Sequence, residues 1–282
     1  MSVTNRFGRL LLMLVLIGLV AGCDDARSPN ATANGPAKRV PSSGIEQAEA
    51  KTGETLLDLE RPGLSAKVIG SGDGALLLLE IDPDLMEPVL VGVPRKGISA
   101  RGALEAQNFA AVIGSGFVSE LNSLEPVGLL QVDGQTLSPV QVHGYTRILG
   151  INDAGMGVVH RRAYQRNLFH SALQAGPGII EQGELDISER ELKRPGYFRS
   201  FVAVCEQRWL AGVSLAPTHL HTLGTTLLAH IRTQNWRCDD VVNLAGDRQA
   251  VMVLKTGDGT QMHHGDPDTY KVSLLGFRPV PD

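Results

Sequence analysis

The sequence is poor in several things at once. Its three cysteines, with no close Cys or His spacing, leave neither a structural zinc knot nor a disulfide-dense scaffold. Seven Phe, four Tyr and two Trp are few, so Leu and Val must fill the interior. The longest apolar run, Leu10 to Val20, is about half of the ~20 residues a spanning helix needs, which excludes a bundle of membrane-spanning helices. There is no basic excess: 26 Lys+Arg stand against 30 Asp+Glu, which argues against nucleic acid as a partner. What is present, 43% hydrophobic and 20% charged residues, is a globular composition rather than a disordered one. Fifteen Pro and 32 Gly are too many for a coiled coil or helical bundle.

Arg6 and Arg9 precede the apolar run, which ends in Val20-Ala21-Gly22-Cys23. A charged start, a short apolar stretch and small residues make a secretory signal. The segment resembles a bacterial lipoprotein signal, whose lipobox places an aliphatic and two small residues before the cysteine. The resemblance implies a signal over 1–22, diacylglycerol on Cys23 and attachment to the lipid bilayer, with the protein in the cell envelope facing the periplasm. The competing reading is an ordinary signal peptide with an incidental cysteine. Asp24-Asp25 resembles the inner-membrane retention mark of some bacteria, and the choice of membrane stays open. Without 1–22 the formal charge moves from −4 to −6, since only Arg6 and Arg9 are lost. Residues 23–50, rich in Ala, Ser, Asn, Pro and Gly without hydrophobic period, read as a flexible tether. Export would put Cys205 and Cys238 where disulfides persist. A bridge between them competes with a buried free thiol at Cys205, which sits in the apolar run Phe201–Cys205.

From about residue 55, short apolar stretches alternate with Gly, Asp and Pro: 75–81, 89–93, 110–113 and 128–132 read as strands. Asp133-Gly134 between Val132 and Gln135 is the strongest hairpin signal. Two segments have helical spacing, Gly97 to Asn108 and Thr222 to Gln234, the second with Leu223, Leu227, Leu228 and Ile231 on one side. The fold class expected is α+β: one mixed, sheet-rich domain over 51–282 with a few helices.

Several segments, in order, carry a resemblance. Ala110-Ala111-Val112-Ile113 runs into Gly114-Ser115-Gly116-Phe117-Val118; Pro126-Val127-Gly128-Leu129-Leu130 precedes Asp133-Gly134; Gln174-Ala175-Gly176-Pro177 precedes Ile179-Ile180 and Gly183; Arg199-Ser200 opens a strand; Cys238 to Leu244 follows the second helix. Together they are similar to the phosphodiester glycosidases over roughly residues 85 to 255. The family's motifs there are a strand with Asn-Gly-Gly-Phe-Phe, a Pro-x-Gly-Leu-Leu…Asp-Gly hairpin, Gln-x-Gly-Pro, and Asn-Leu-Asp-Gly-Gly. The departures fall on its polar loops: Gly114 replaces Asn, Ser115 replaces a Gly, Ala245 replaces Asp and Asp247 replaces the second Gly.

Cleaving a sugar–phosphate bond requires charge stabilisation at the departing phosphate and an acid or base to handle water. The resemblance implies that Arg199 forks onto phosphate, that Gly114, Ser115 and Gly116 line the cleft, and that Ser200, Gln174 and Asn243 contribute polar contacts. Asp247 would stand in for the carboxylate missing at 245, because residues two apart share a face in an extended segment. Loss of a positioned carboxylate costs about 10²- to 10⁴-fold in rate. The expected function is a lipoprotein that binds an anionic or phosphorylated saccharide with weak or no family-type hydrolysis. The alternative is an active hydrolase of a glycan phosphodiester. No cofactor and no metal is implied. His219-x-His221 would place two imidazoles on one side of a strand, but it leads into a helix without a third ligand. His263-His264 reads as part of a solvated loop, and Gly70 to Gly74 as a turn.

Overall fold

The computed structural model describes residues 55–120 and 122–281. The leader, Cys23 and the tether lie outside the described residues. Three antiparallel sheets form the frame. The largest has eight strands in the order Thr55–Leu57, Leu64–Ile69, Leu76–Ile81, Trp209–Ser214, Arg199–Cys205, Cys238–Gly246, Gly178–Glu181, Glu184–Leu185. A five-stranded sheet runs Gly155–His160, Arg147–Asn152, Ser171–Ala175, Leu130–Val132, Gln135–Ser138. The other runs Gln261–His264, Met252–Lys255, Ala111–Gly114, Ser273–Pro279, Met86–Gly92. A two-stranded pairing of Tyr270–Lys271 with Ile98–Ser99 completes the strands.

All three sheets turn one face inward to a common core. Leu77 and Leu79 from the large sheet meet Leu149 and Leu173 from one small sheet and Ile113 and Leu275 from the other. The outer faces are covered differently. Helix α2 (Leu220–Thr233) lays Leu223, Leu227 and Ile231 over Leu76, Leu78, Phe201 and Ala203. Helix α1 (Ala100–Ala106) lays Ala103 and Leu104 over Val112, Val253 and Leu274. Leu76 to Leu79 therefore reads as an unbroken apolar run because alternate side chains enter two different cores.

The expected α+β class is corrected by this arrangement. Among the described residues, antiparallel sheets build the interior and the two α-helices are lids on outer faces, so the fold is β-rich. The Gly, Asp and Pro punctuation accounts for the difference, since it cuts the chain into segments too short for anything but strands. Helix α1 is also shorter than its apolar pattern. Ser99 Oγ accepts from Gly102 N–H at 3.1 Å and starts it, and Asn108 at φ +53° follows its last turn. Asp133 and Gly134 both take positive φ, +47° and +78°, as a two-residue hairpin turn of this kind requires.

Cys205 and Cys238 are joined by a disulfide between adjacent strands, where they are register partners. The bridge pins the Arg199–Cys205 strand to the Cys238–Gly246 strand at one end. Arg199 pairs with Gly246 at the other end, across a register shift.

Candidate functional site

Arg199 is the centre of the site. Its backbone is fixed by strand pairing and by N–H donation to Ser214 Oγ at 2.9 Å. Its side chain is mostly buried, and Nε has no hydrogen-bond partner. The guanidinium carbon lies 5.0 Å from the centre of the Tyr197 ring, within cation–π range. Nη2 stands 3.6 Å from Glu191 Oε1, which is an ion pair but not a hydrogen bond. Burial pushes the Arg199 pKa down, and the charges of Glu191 and Asp247 oppose that shift.

Glu191 stays at that distance because something else holds it. Its Oε2 accepts the backbone N–H of His221 at 3.2 Å, in the first turn of α2, and lies 4.0 Å from Nδ1 of His219, the residue that begins the helix. A carboxylate is favoured there by the free amides and the positive end of the helix dipole. The start of the helix thus holds this carboxylate in place beside Arg199.

Asp247 also acts on Arg199 through its charge. The chain after Gly246 enters a short 3₁₀ turn, Asp247–Gln249, with Asp247 at φ +52°, a conformation that aspartate tolerates better than bulkier residues. Its N–H donates to Phe198 O at 2.9 Å. Burial raises the Asp247 carboxyl pKa, while Arg199 and a backbone hydrogen bond at Phe198 pull it down. The turn rests on Lys271, which is fully buried and donates from Nζ to the Arg248 carbonyl. Burial lowers the Lys271 pKa to about 8.

Of the other residues expected at the site, the glycine turn and Gln174 are taken up by the framework. Ser115 does come close in backbone terms, its carbonyl accepting from Ala245 N–H at 3.2 Å. But Gly114, Ser115 and Gly116 are buried, and the N–H groups of Gly114 and Ser115 are spent on Val251 O and Ser273 O. A Cβ on Gly114 would sit 1.9 Å from Gln249 O, so the asparagine of the family motif has no room here. Gln174 uses every valence of its amide: Oε1 accepts from Leu129 and Gln141 N–H, and Nε2 donates to the Gln141 and Tyr145 carbonyls, all between 2.8 and 3.1 Å. It fastens a loop and has nothing left for a ligand. Asn243 donates Nδ2 to Gly176 O at 3.1 Å, with Oδ1 buried and unpartnered; Ser200 is fully buried with its Oγ likewise.

Glu191 and Tyr197 are the contributors that sequence reasoning missed. Glu191 sits in the charged stretch Glu189 to Arg194, which looks like a solvated loop. The available signal was Ser188 three residues earlier, which caps this 3₁₀ turn through Oγ and Arg190 N–H at 3.3 Å. His219 and His221 do not act as a pair; one begins α2 and the other offers its backbone N–H to Glu191.

No family model matches the chain, and no curated protein matches it in sequence. The likeness is one of structure. A hypothetical protein from Synechocystis superposes with a TM-score of 0.50 at 13% identity, over 76% of this chain and 62% of that one. The chain thus spans less than two thirds of that protein. The zebrafish N-acetylglucosamine-1-phosphodiester alpha-N-acetylglucosaminidase catalytic domain, auto-inhibited by its pro-peptide, superposes with a TM-score of 0.54 at 14% identity, over 80% of this chain and 82% of that one. At such identities the relation is one of fold.

Proposed function

We propose that this chain is a lipoprotein of the bacterial cell envelope, acylated at Cys23 and facing the periplasm, whose β-rich domain binds an anionic or phosphorylated saccharide at Arg199 with little or no hydrolysis. One observation carries the binding reading. Arg199 holds a mostly buried guanidinium whose Nε lacks a partner, while its nearest carboxylate is kept at 3.6 Å by a helix. A phosphate presents two oxygens at the spacing of the guanidinium fork and would fill the unused donor. The fold likeness to a phosphodiester glycosidase domain supports a sugar phosphate as the ligand class.

The test is titration of the chain with N-acetylglucosamine 1-phosphate. Saturable binding is expected, weakened about 10- to 100-fold by Arg199→Ala, the range of a lost charge-assisted pair. Equal binding by wild type and variant would remove the assignment. Weak hydrolysis is expected because the framework glycines leave no room for the polar loop of the family motif. A second reading, active hydrolysis, is favoured by two carboxyl groups, Asp247 and Glu191, both acting electrostatically on Arg199, with the Asp247 pKa raised by burial. A phosphodiester of N-acetylglucosamine distinguishes the two: turnover abolished by Asp247→Asn selects the hydrolase, and absence of turnover selects the binding module.

A further inference from the structure

The charge of this chain is unevenly placed. Between Gly134 and Ile180 there are four arginines and three histidines against one carboxylate, Asp153, although the whole chain is net −4. Arg147 is buried and paired with Glu181 and Asp186. The other three, Arg161, Arg162 and Arg166, take part in no ion pair among the described residues, whereas seven of the eleven described arginines outside this segment have a carboxylate partner. They belong to the segment that leaves the edge strand Gly155–His160 of a five-stranded sheet. Arg161 Nη1 reaches the carbonyls of Gln141 and Tyr145, both at 3.3 Å, so the 139–146 loop lies against the turn at 161–163. Arg166 is close enough to Tyr164 for its charge to act on the phenol, and Tyr164 OH is anchored to Gln131 at 3.0 Å.

The same two segments expose aliphatic side chains. Val142 is 70% exposed, Leu168 40% and Val140 36%. Unpaired arginines alone would suit any polyanion. Exposed branched apolar groups beside them gain nothing from a polysaccharide or a nucleic acid, but they match the boundary between headgroups and acyl chains. We propose that this face, the 139–146 loop with the 161–168 segment, docks on a bilayer containing anionic phospholipid, with Arg161, Arg162 and Arg166 on the headgroups and Val142 entering the interface. An arginine held near an anionic membrane strengthens binding roughly five-fold, so three together give on the order of 100-fold. The inference stands apart from acylation of Cys23 and from the ligand at Arg199.

Residues 23–282 carrying Cys23→Ser test it without an acyl chain and without the apolar run Leu10 to Val20, by co-sedimentation with vesicles of phosphatidylcholine alone or with about one third phosphatidylglycerol. Binding is expected to need phosphatidylglycerol and to weaken as salt is raised. Arg162→Glu with Arg166→Glu, both at exposed positions, should weaken it by at least about 30-fold, and Val142→Asp should weaken it several-fold. Equal binding by wild type and the charge-reversed variant overturns the proposal, as does equal binding to both kinds of vesicle. Displacement from vesicles by inositol hexakisphosphate with Val142→Asp indistinguishable from wild type also overturns it, in favour of a soluble polyanion.

Discussion

A single missing Cβ decides how far this site departs from the motif it resembles. Because Gly114 faces the Gln249 carbonyl with no room between them, Gly114→Asn should destabilise the fold by about 3 kcal/mol or more and restore no activity, as urea denaturation and a phosphodiester assay would show. Asp247 makes a prediction about pH. Its pKa is raised by burial, so the folded chain holds the proton more tightly than the unfolded chain. Stability therefore falls as pH rises from the ordinary aspartate range, about 4, through the raised folded value, and the cost is complete above it. Asp247→Asn should remove that slope, so the urea midpoint of the variant should gain on wild type between pH 4 and 7 and match it more closely below. Identical pH profiles would show that the carboxyl is not desolvated. Arg199 was picked out by the family resemblance, and Asp247 by a two-residue offset that holds in an extended segment, whereas the chain leaves the strand at Asp247 for a 3₁₀ turn. Glu191 was not legible, because only the packing of α2 brings its segment to Arg199. The buried glycines misled for a related reason: an open turn and a tightly packed one are written with the same residue.

Among the elements, α2 joins stability to binding. Glu191→Gln keeps an acceptor for the His221 N–H while removing the charge beside Arg199, so it should cost no more than about 1 kcal/mol of stability and should tighten sugar phosphate binding. Glu191→Ala should cost about 0.5–2 kcal/mol by leaving that amide unsatisfied. Calorimetric titration and thermal melts on both variants separate the two effects. The helix itself is held by burial: Leu227 is fully enclosed against the large sheet, and Leu227→Ala should cost about 2–5 kcal/mol in chemical denaturation. Both helices and the Asp133-Gly134 hairpin were readable from periodicity and turn chemistry, with ends shifted by capping residues. The class was not readable from two helical patterns, because periodicity says that a helix exists and not whether it forms the core or covers it.

In the molecule as a whole, the three sheets share one interior, so no sheet can lose its packing alone. Trp209 lies in that shared core and Trp236 packs beneath α2 on the far side of the large sheet. Fluorescence from single-Trp variants and far-ultraviolet circular dichroism should therefore report the same unfolding midpoint; two separated transitions would mean that the helix-covered layer comes away independently. The strand pair running from Cys238 and Cys205 to Gly246 and Arg199 has unlike ends. Both ends carry a register shift, but only one is riveted by a covalent link. Amide protons should accordingly exchange in a gradient along it, slowest beside the rivet and fastest beside the guanidinium. Such a pair behaves like a clasp knife with its pin at the far end, so that any fraying of it begins at the tip, beside Arg199.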